Sequence, residues 1–199
     1  MTRYFIVFTA IFVLSISVAM CQRGKLSDVV NDSCKMSQVV FCGVKLKYPL
    51  KVLEAKKEYG LEYVSMHTFY KTIDGFPPLS QYEPFNFKLI IPIRDSDPFN
   101  DIIPEEVYHD RPVKGYTFLF RGSTTDPDSL RNALEKQFSG KFELKIRKSD
   151  YKSLAGYPFY EMRISECVYV AVTNFSLKQS IRVMFYFDMT EEERLWFPL

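Results

Sequence analysis

The sequence predicts an α+β fold: an antiparallel β-sheet with helices packed on its faces. Three observations carry this. A capped, amphipathic helix over residues 126–140 is followed by four short strand-like runs with short polar links. The chain has 199 residues, of which 47% are hydrophobic and 16% aromatic, enough apolar mass for a sizeable core. No internal repeat, heptad or low-complexity stretch points to another class. The balance of 26 Lys+Arg against 24 Asp+Glu gives no electrostatic reason to expect a nucleic-acid partner.

Taken in order, residues 1–20 read as a signal peptide. Arg3 gives a positive start, and Tyr4 to Val18 runs without charge. The run is slightly short for a transmembrane helix, which wants about 20 apolar residues. Residues 21–36 are polar and aperiodic and read as an N-terminal tether to a single α+β domain over 37–199. Val39 to Tyr48 is a strand-like run ended by Pro49, residues 50–60 a short helix stopping at Gly60, and Leu61 to Tyr70 strand again. A Pro-rich loop region occupies 71–113, interrupted by the strand-like island Phe87–Ile93, which stops at Pro92 or lies at an edge. Gly115–Phe120 is a strand.

Asp126 then fits an N-cap, Pro127 sits at N1, and Asp128 favours the positive end of the helix dipole. Leu130, Ala133, Leu134 and Phe138 form its apolar face, and Gly140 is the stop. Phe142–Ile146, Tyr157–Ile164, Cys167–Phe175 and Ile181–Phe187 suit an antiparallel meander, with Arg182–Phe187 as a central strand. In the second of these, Phe159, Glu161 and Arg163 share one face, expected to be the wetter, and Tyr160, Met162 and Ile164 the other. Thr190 and Glu193 make a capping box, so a short final helix starts there.

Two cleavage patterns fit the leader. Ser17-Val18-Ala19 offers small residues for an ordinary signal-peptidase cut, leaving Met20 first. Val18-Ala19-Met20-Cys21 instead resembles a bacterial lipobox, with Cys21 lipidated, although Met20 departs from the usual small residue. Exported cysteines meet oxidising conditions. With Cys21 lipidated, Cys34 and Cys42 pair across a short loop and Cys167 is a buried hydrophobe. With Cys21 unmodified, three connectivities stay open. No CxxC occurs.

The succession of strand, D-x-D-capped helix, strand, "LAGYPFYEMRIS", two further strands and a terminal helix resembles the PsbP-like domain. The likeness covers about residues 115–195. It rests most on Leu154-Ala155-Gly156-Tyr157-Pro158-Phe159-Tyr160-Glu161, similar to that family's G-x-P-aromatic entry into a strand. The resemblance implies an antiparallel sheet with facing helices and a binding or assembly role without catalytic residues.

Candidate chemistry is sparse. Only His67 and His109 occur. His67 lies in a strand-like run and reads as a hydrogen-bonded structural residue. Glu105 and His109 share a face at i, i+4 in a helical turn, and with Asp110 could ligate a divalent metal; a solvated acidic loop is the alternative. Asp95, Asp97, Asp101 and Glu106 have calcium-loop spacing. Phe99 and Asn100 stand where that motif needs an oxygen ligand and a glycine, leaving only a looser oxygen-ligand site over 95–110 open. No G-x-S-x-G, H-E-x-x-H or phosphate loop is present. Lys141, Lys145, Arg147, Lys148 and Lys152 form a basic cluster on alternating positions, read as a solvated face. Asn31 and Asn174 open N-x-S sequons, meaningful only in a eukaryotic host.

The function expected is therefore a non-catalytic binding or accessory protein of the cell envelope. It would be periplasmic or tethered to the outer membrane in a bacterium, and secreted otherwise. No cofactor is implied, and the membrane is touched only through a lipid anchor. The partner is an envelope or secreted protein, or a small ligand. Its expected binding surface is the aromatic, Pro-stiffened 76–112 stretch, with Phe76, Tyr82, Phe85, Phe99, Tyr108 and His109. The alternatives are a metal-assisted exported hydrolase using Glu105, His109 and Asp110, and an immunity-type inhibitor of a toxin.

Overall fold

Alternation of apolar and polar residues becomes, in the computed structural model, an eight-stranded antiparallel sheet. The structure describes Cys34 and residues 38–65, 68–73, 85–92, 103–121, 126–148, 156–175 and 180–196. The leader, Cys21, His67, Phe76, Tyr82, Phe99, the acidic 95–101 segment, Tyr151, Lys152, Leu154 and Ala155 lie outside the described residues. No described helix is long and apolar enough to cross a membrane.

The elements run β1 (Gln38–Phe41), β2 (Val44–Lys47), α1 (Val52–Tyr59), β3 (Glu62–Ser65), β4 (Thr68–Ile73) and β5 (Phe85–Ile90). A 3-10 turn (Glu105–Tyr108) leads to β6 (Gly115–Arg121), α2 (Pro127–Phe138), β7 (Glu143–Ile146), β8 (Pro158–Arg163), β9 (Val168–Phe175), β10 (Ser180–Phe187) and α3 (Glu191–Trp196). The large sheet has the order β3-β4-β5-β6-β10-β9-β8-β7, with β1-β2 a separate hairpin. The expected meander is there, and β10 is central: it pairs with β6 on one side and β9 on the other. β5 ends before Pro92, inside the sheet rather than at its edge. The single strand expected over 39–48 is instead a hairpin. Cys42 and Gly43 both take positive φ (49° and 72°), the backbone that a two-residue turn between right-twisted strands demands. Leu61 to Tyr70 likewise divides into β3 and β4, paired with a bulge between Tyr63 and Ser65.

One sheet face carries Phe87, Tyr116, Phe118, Val170, Val183, Phe185 and Phe187, all buried. Onto it pack Val52 and Ala55 of α1, Leu130 and Leu134 of α2, and Val39, Phe41 and Leu46 of the hairpin. Phe41 sits edge-on to Phe118 with ring centroids 4.8 Å apart. The opposite face carries Ile90, Phe159, Ala171, Met184 and Tyr186, against which Met189 and Leu195 of the C-terminal segment pack. Helices thus cover both faces.

Asp126 caps α2 as expected, accepting from the Asp128 and Ser129 backbone N–H groups. Ala133 is exposed rather than part of the apolar face. The left-handed stop is Ser139 (φ 54°), not Gly140. Gly140 answers a packing need, because a Cβ there would meet Met162 Sδ at 2.6 Å. Thr190 and Glu193 form the capping box of α3.

The pairing of Cys34 with Cys42 is corrected: Cys34 is bonded to Cys167 across 133 residues of sequence, and Cys42 is a buried free thiol. β1 runs between Cys34 and Cys42, and its four residues span about 13 Å. A disulfide tolerates a Cα separation of only about 4.4–6.8 Å. Burial pushes the Cys42 thiol up to about 12, so it stays protonated and inert.

Candidate functional site

The turn at Glu105–Tyr108 is where two of the residues nominated for metal chemistry meet. Pro104 precedes it, and the Tyr108 side chain is fully buried against Tyr63 and Phe69. The Arg111 guanidinium lies 4.7 Å over the Tyr108 ring and donates to the Pro92 carbonyl. The carbonyls of His109 and Arg111 accept the N–H groups of Leu53 and Val52, the first residues of α1. Those are N–H groups that a helix start leaves without an internal partner. Turn and helix therefore complete one another.

Across this joint, Lys56 Nζ donates to both oxygens of Glu105, at 2.6 and 2.7 Å. His109 Nε2 lies 2.9 Å from Glu105 Oε1. Burial works to raise the Glu105 pKa, but Lys56 and His109 outweigh it and hold the carboxyl below its ordinary value. Asp110 turns away to Lys51 Nζ at 3.0 Å, which lowers its pKa through the hydrogen bond and the charge. Glu105 and His109 thus converge and Asp110 does not. Among the described residues no group of three His, Cys, Asp or Glu side chains could hold a metal ion.

Of the binding residues named from sequence, Phe85, Tyr108 and His109 are described, and they do not form one surface. Tyr108 belongs to the core, His109 is partly exposed beside Glu105, and Phe85 opens β5. The exposed apolar residue of the turn is Val107, at 45%. Sequence reasoning missed Lys51 and Lys56, the cations that take up the two carboxylates. Lys51 precedes α1 as its N-cap residue and Lys56 lies within it, and their spacing of five carries no motif. Only the proximity of α1 to the turn reveals their role.

A second polar group lies on the opposite sheet face. Glu161 of β8 and Arg194 of α3 are each 5% exposed and doubly bonded, Nε to Oε1 at 2.7 Å and Nη2 to Oε2 at 3.2 Å. Arg194 also donates to the Met189 carbonyl and stacks 3.5 Å over Tyr169. The expectation of a wet face at Glu161 is thereby corrected, since α3 covers it; only Arg163 faces water. The basic cluster is solvated at Lys141 and Lys148, as expected, and is corrected at Arg147. Arg147 is buried, 4.7 Å over the Phe159 ring, and Lys145 is held by Glu191 and Glu143. The pairing that buries Arg194 needs a carboxylate from a distant strand, which no local pattern announces.

A third polar group joins the hairpin to the end of β10. Tyr48 Oη donates to Asp188 Oδ2 at 2.8 Å, and Lys114 Nζ lies 3.3 Å from the same oxygen. Desolvation, then Asp188, pushes the Tyr48 phenol well above its usual range. These groups hold elements together. Comparison with protein-family models, with curated proteins and with solved structures returned no match.

Proposed function

We propose that this chain is an exported, non-catalytic binding protein of the cell envelope, recognising an envelope or secreted protein through the surface around the Glu105–Asp110 turn. The observation that carries this reading is the state of that turn. Glu105 is held by Lys56 and His109 and Asp110 by Lys51, the aromatic of the turn is sunk in the core, and Glu106 and Val107 are left exposed on a backbone tied to α1. A contact surface held this way loses little conformational entropy when a partner binds. The proposal includes export through the 1–20 leader, with Cys21 as the lipid anchor. It also includes a PsbP-like fold, for which the argument is the entry to β8: Gly156 with φ 77°, then Pro158 opening the strand.

A photo-crosslinking amino acid placed at Val107 in the native host tests the binding surface, with Val40, also exposed, as control. One discrete protein adduct at position 107, absent at 40, is expected. No adduct, or the same adducts at both positions, overturns it. Zinc titration of the purified protein addresses the hydrolase alternative: stoichiometric binding lost in His109→Ala would replace the proposal. Intact mass tests export, because a chain still beginning at Met1 contradicts it.

A further inference from the structure

The two edges of the large sheet are built differently. β3 is interrupted by a bulge, a common way of blunting an edge. β7 is regular, with neither bulge nor proline, and among the described residues pairs in unbroken register with β8 alone. Its ladder continues through the Arg147 N–H, which donates to Tyr157 O at 3.1 Å. Hydrogen bonding in an antiparallel ladder alternates. Residues 143, 145 and 147 therefore direct their backbone groups at β8, and Leu144 and Ile146 direct theirs outward. α3 meets the backbone of this edge at Lys148, whose N–H donates to Leu195 O, and reaches β7 itself through the Glu191 side chain on Lys145. Leu144 and Ile146 are 57% and 54% exposed on the sheet face that α2 covers farther in.

We propose that the β7 edge binds a second copy of this chain, β7 against β7 in antiparallel register, with the two-fold axis at Leu144. Pleat and charge both select this partner and register. Outward groups must meet outward groups, so even-numbered residues face even-numbered residues. With Leu144 opposite Leu144, the N–H and C=O of each bond reciprocally, and each Ile146 N–H reaches the Phe142 carbonyl of the other copy. The Phe142 N–H is already taken by Glu135 Oε1, at 2.8 Å. On one face the register joins Leu144, Ile146 and Phe142 of both copies into one apolar strip. On the other it sets Glu143 of each copy opposite Lys145 of the other. Moving the axis to residue 145 or 143 would oppose Lys145 to Lys145 or Glu143 to Glu143. Opposite charges directly across a pair stabilise and like charges destabilise. The four-residue strand is self-complementary in one register only.

Analytical ultracentrifugation of the chain as its host produces it tests this, with Lys145→Glu and the swap Glu143→Lys/Lys145→Glu. Wild type is expected to dimerise. Lys145→Glu, which sets Glu opposite Glu twice, should raise the dissociation constant about tenfold or more. The swap restores complementarity and should recover the dimer. That recovery separates edge pairing from any loss of the Lys145–Glu191 contact, which the swap does not repair. A monomer at all concentrations, or a dimer indifferent to Lys145→Glu, overturns the proposal. The test does not touch the Val107 surface, so each reading fails on its own result.

Discussion

Removing either member of the Glu161–Arg194 pair should cost far more than removing both. Glu161 lies on β8 and Arg194 on α3, both 5% exposed, joined by two hydrogen bonds. In Glu161→Leu the guanidinium keeps only the Met189 carbonyl and the Tyr169 ring; in Arg194→Met the carboxylate is stranded on the sheet. Stranding one buried charge costs about 3–5 kcal/mol, whereas replacing a buried pair by apolar side chains is often neutral. The double variant gives up the contacts to Met189 and Tyr169 and should lie within about 2 kcal/mol of wild type. At about 2–4 °C per kcal/mol, each single change lowers Tm by roughly 6–20 °C. The escape from a stranded charge is undocking of α3, so the undocking free energy is the ceiling on the loss. Amide hydrogen exchange reports that step: the Lys148 N–H, bonded to Leu195 O of α3, should exchange through a low-energy opening in the single variants and regain wild-type protection in the double. Single variants within about 0.5 kcal/mol of wild type, or a double variant that loses the sum of the singles, would refute the reasoning.

Three further outcomes are expected. Reducing the Cys34–Cys167 disulfide, which closes a separation of 133 residues, should remove about 4–5 kcal/mol of stability by chemical denaturation; a Cys34–Cys42 crosslink in a peptide map would contradict the pairing itself. Glu105 has its pKa lowered by Lys56 and His109 against the pull of burial, so its contribution is present above the unfolded carboxylate pKa and fades as pH falls through the folded one. Glu105→Gln should lose about 0.5–1 kcal/mol at pH 7 and show a flatter acid limb in urea melts; a curve parallel to wild type at every pH defeats the assignment. Gly115→Ala places a Cβ 2.2 Å from the Phe185 carbonyl oxygen, which the central strand cannot yield, and should cost about 3 kcal/mol. Gly156→Ala meets open space and bears only left-handed strain of about 1–2 kcal/mol, so equal losses at the two sites would argue against the close approach.

Signals that act within a few residues were legible. Asp126 and Pro127 announce α2, Thr190 with Glu193 announces α3, Gly60 ends α1, and the alternation after residue 142 foretells the meander. Each works through a hydrogen bond or a periodicity no longer than a turn or a strand. The candidate site was half legible: i, i+4 spacing brought Glu105 to His109, but their charge balance comes from Lys56 and Lys51 on another element. The same limit explains Ser139 as the stop of α2, since Gly140 is reserved for Met162 from β8. By itself, then, the sequence determined the helices, the meander after residue 142 and the α+β class of this protein, but not the two hairpins that divide the expected runs 39–48 and 61–70. Which cysteine Cys34 meets and which arginine covers Glu161 were decided only when the sheet closed. Those contacts join residues far apart in the chain, and their energy exists only once the backbone between them is in place.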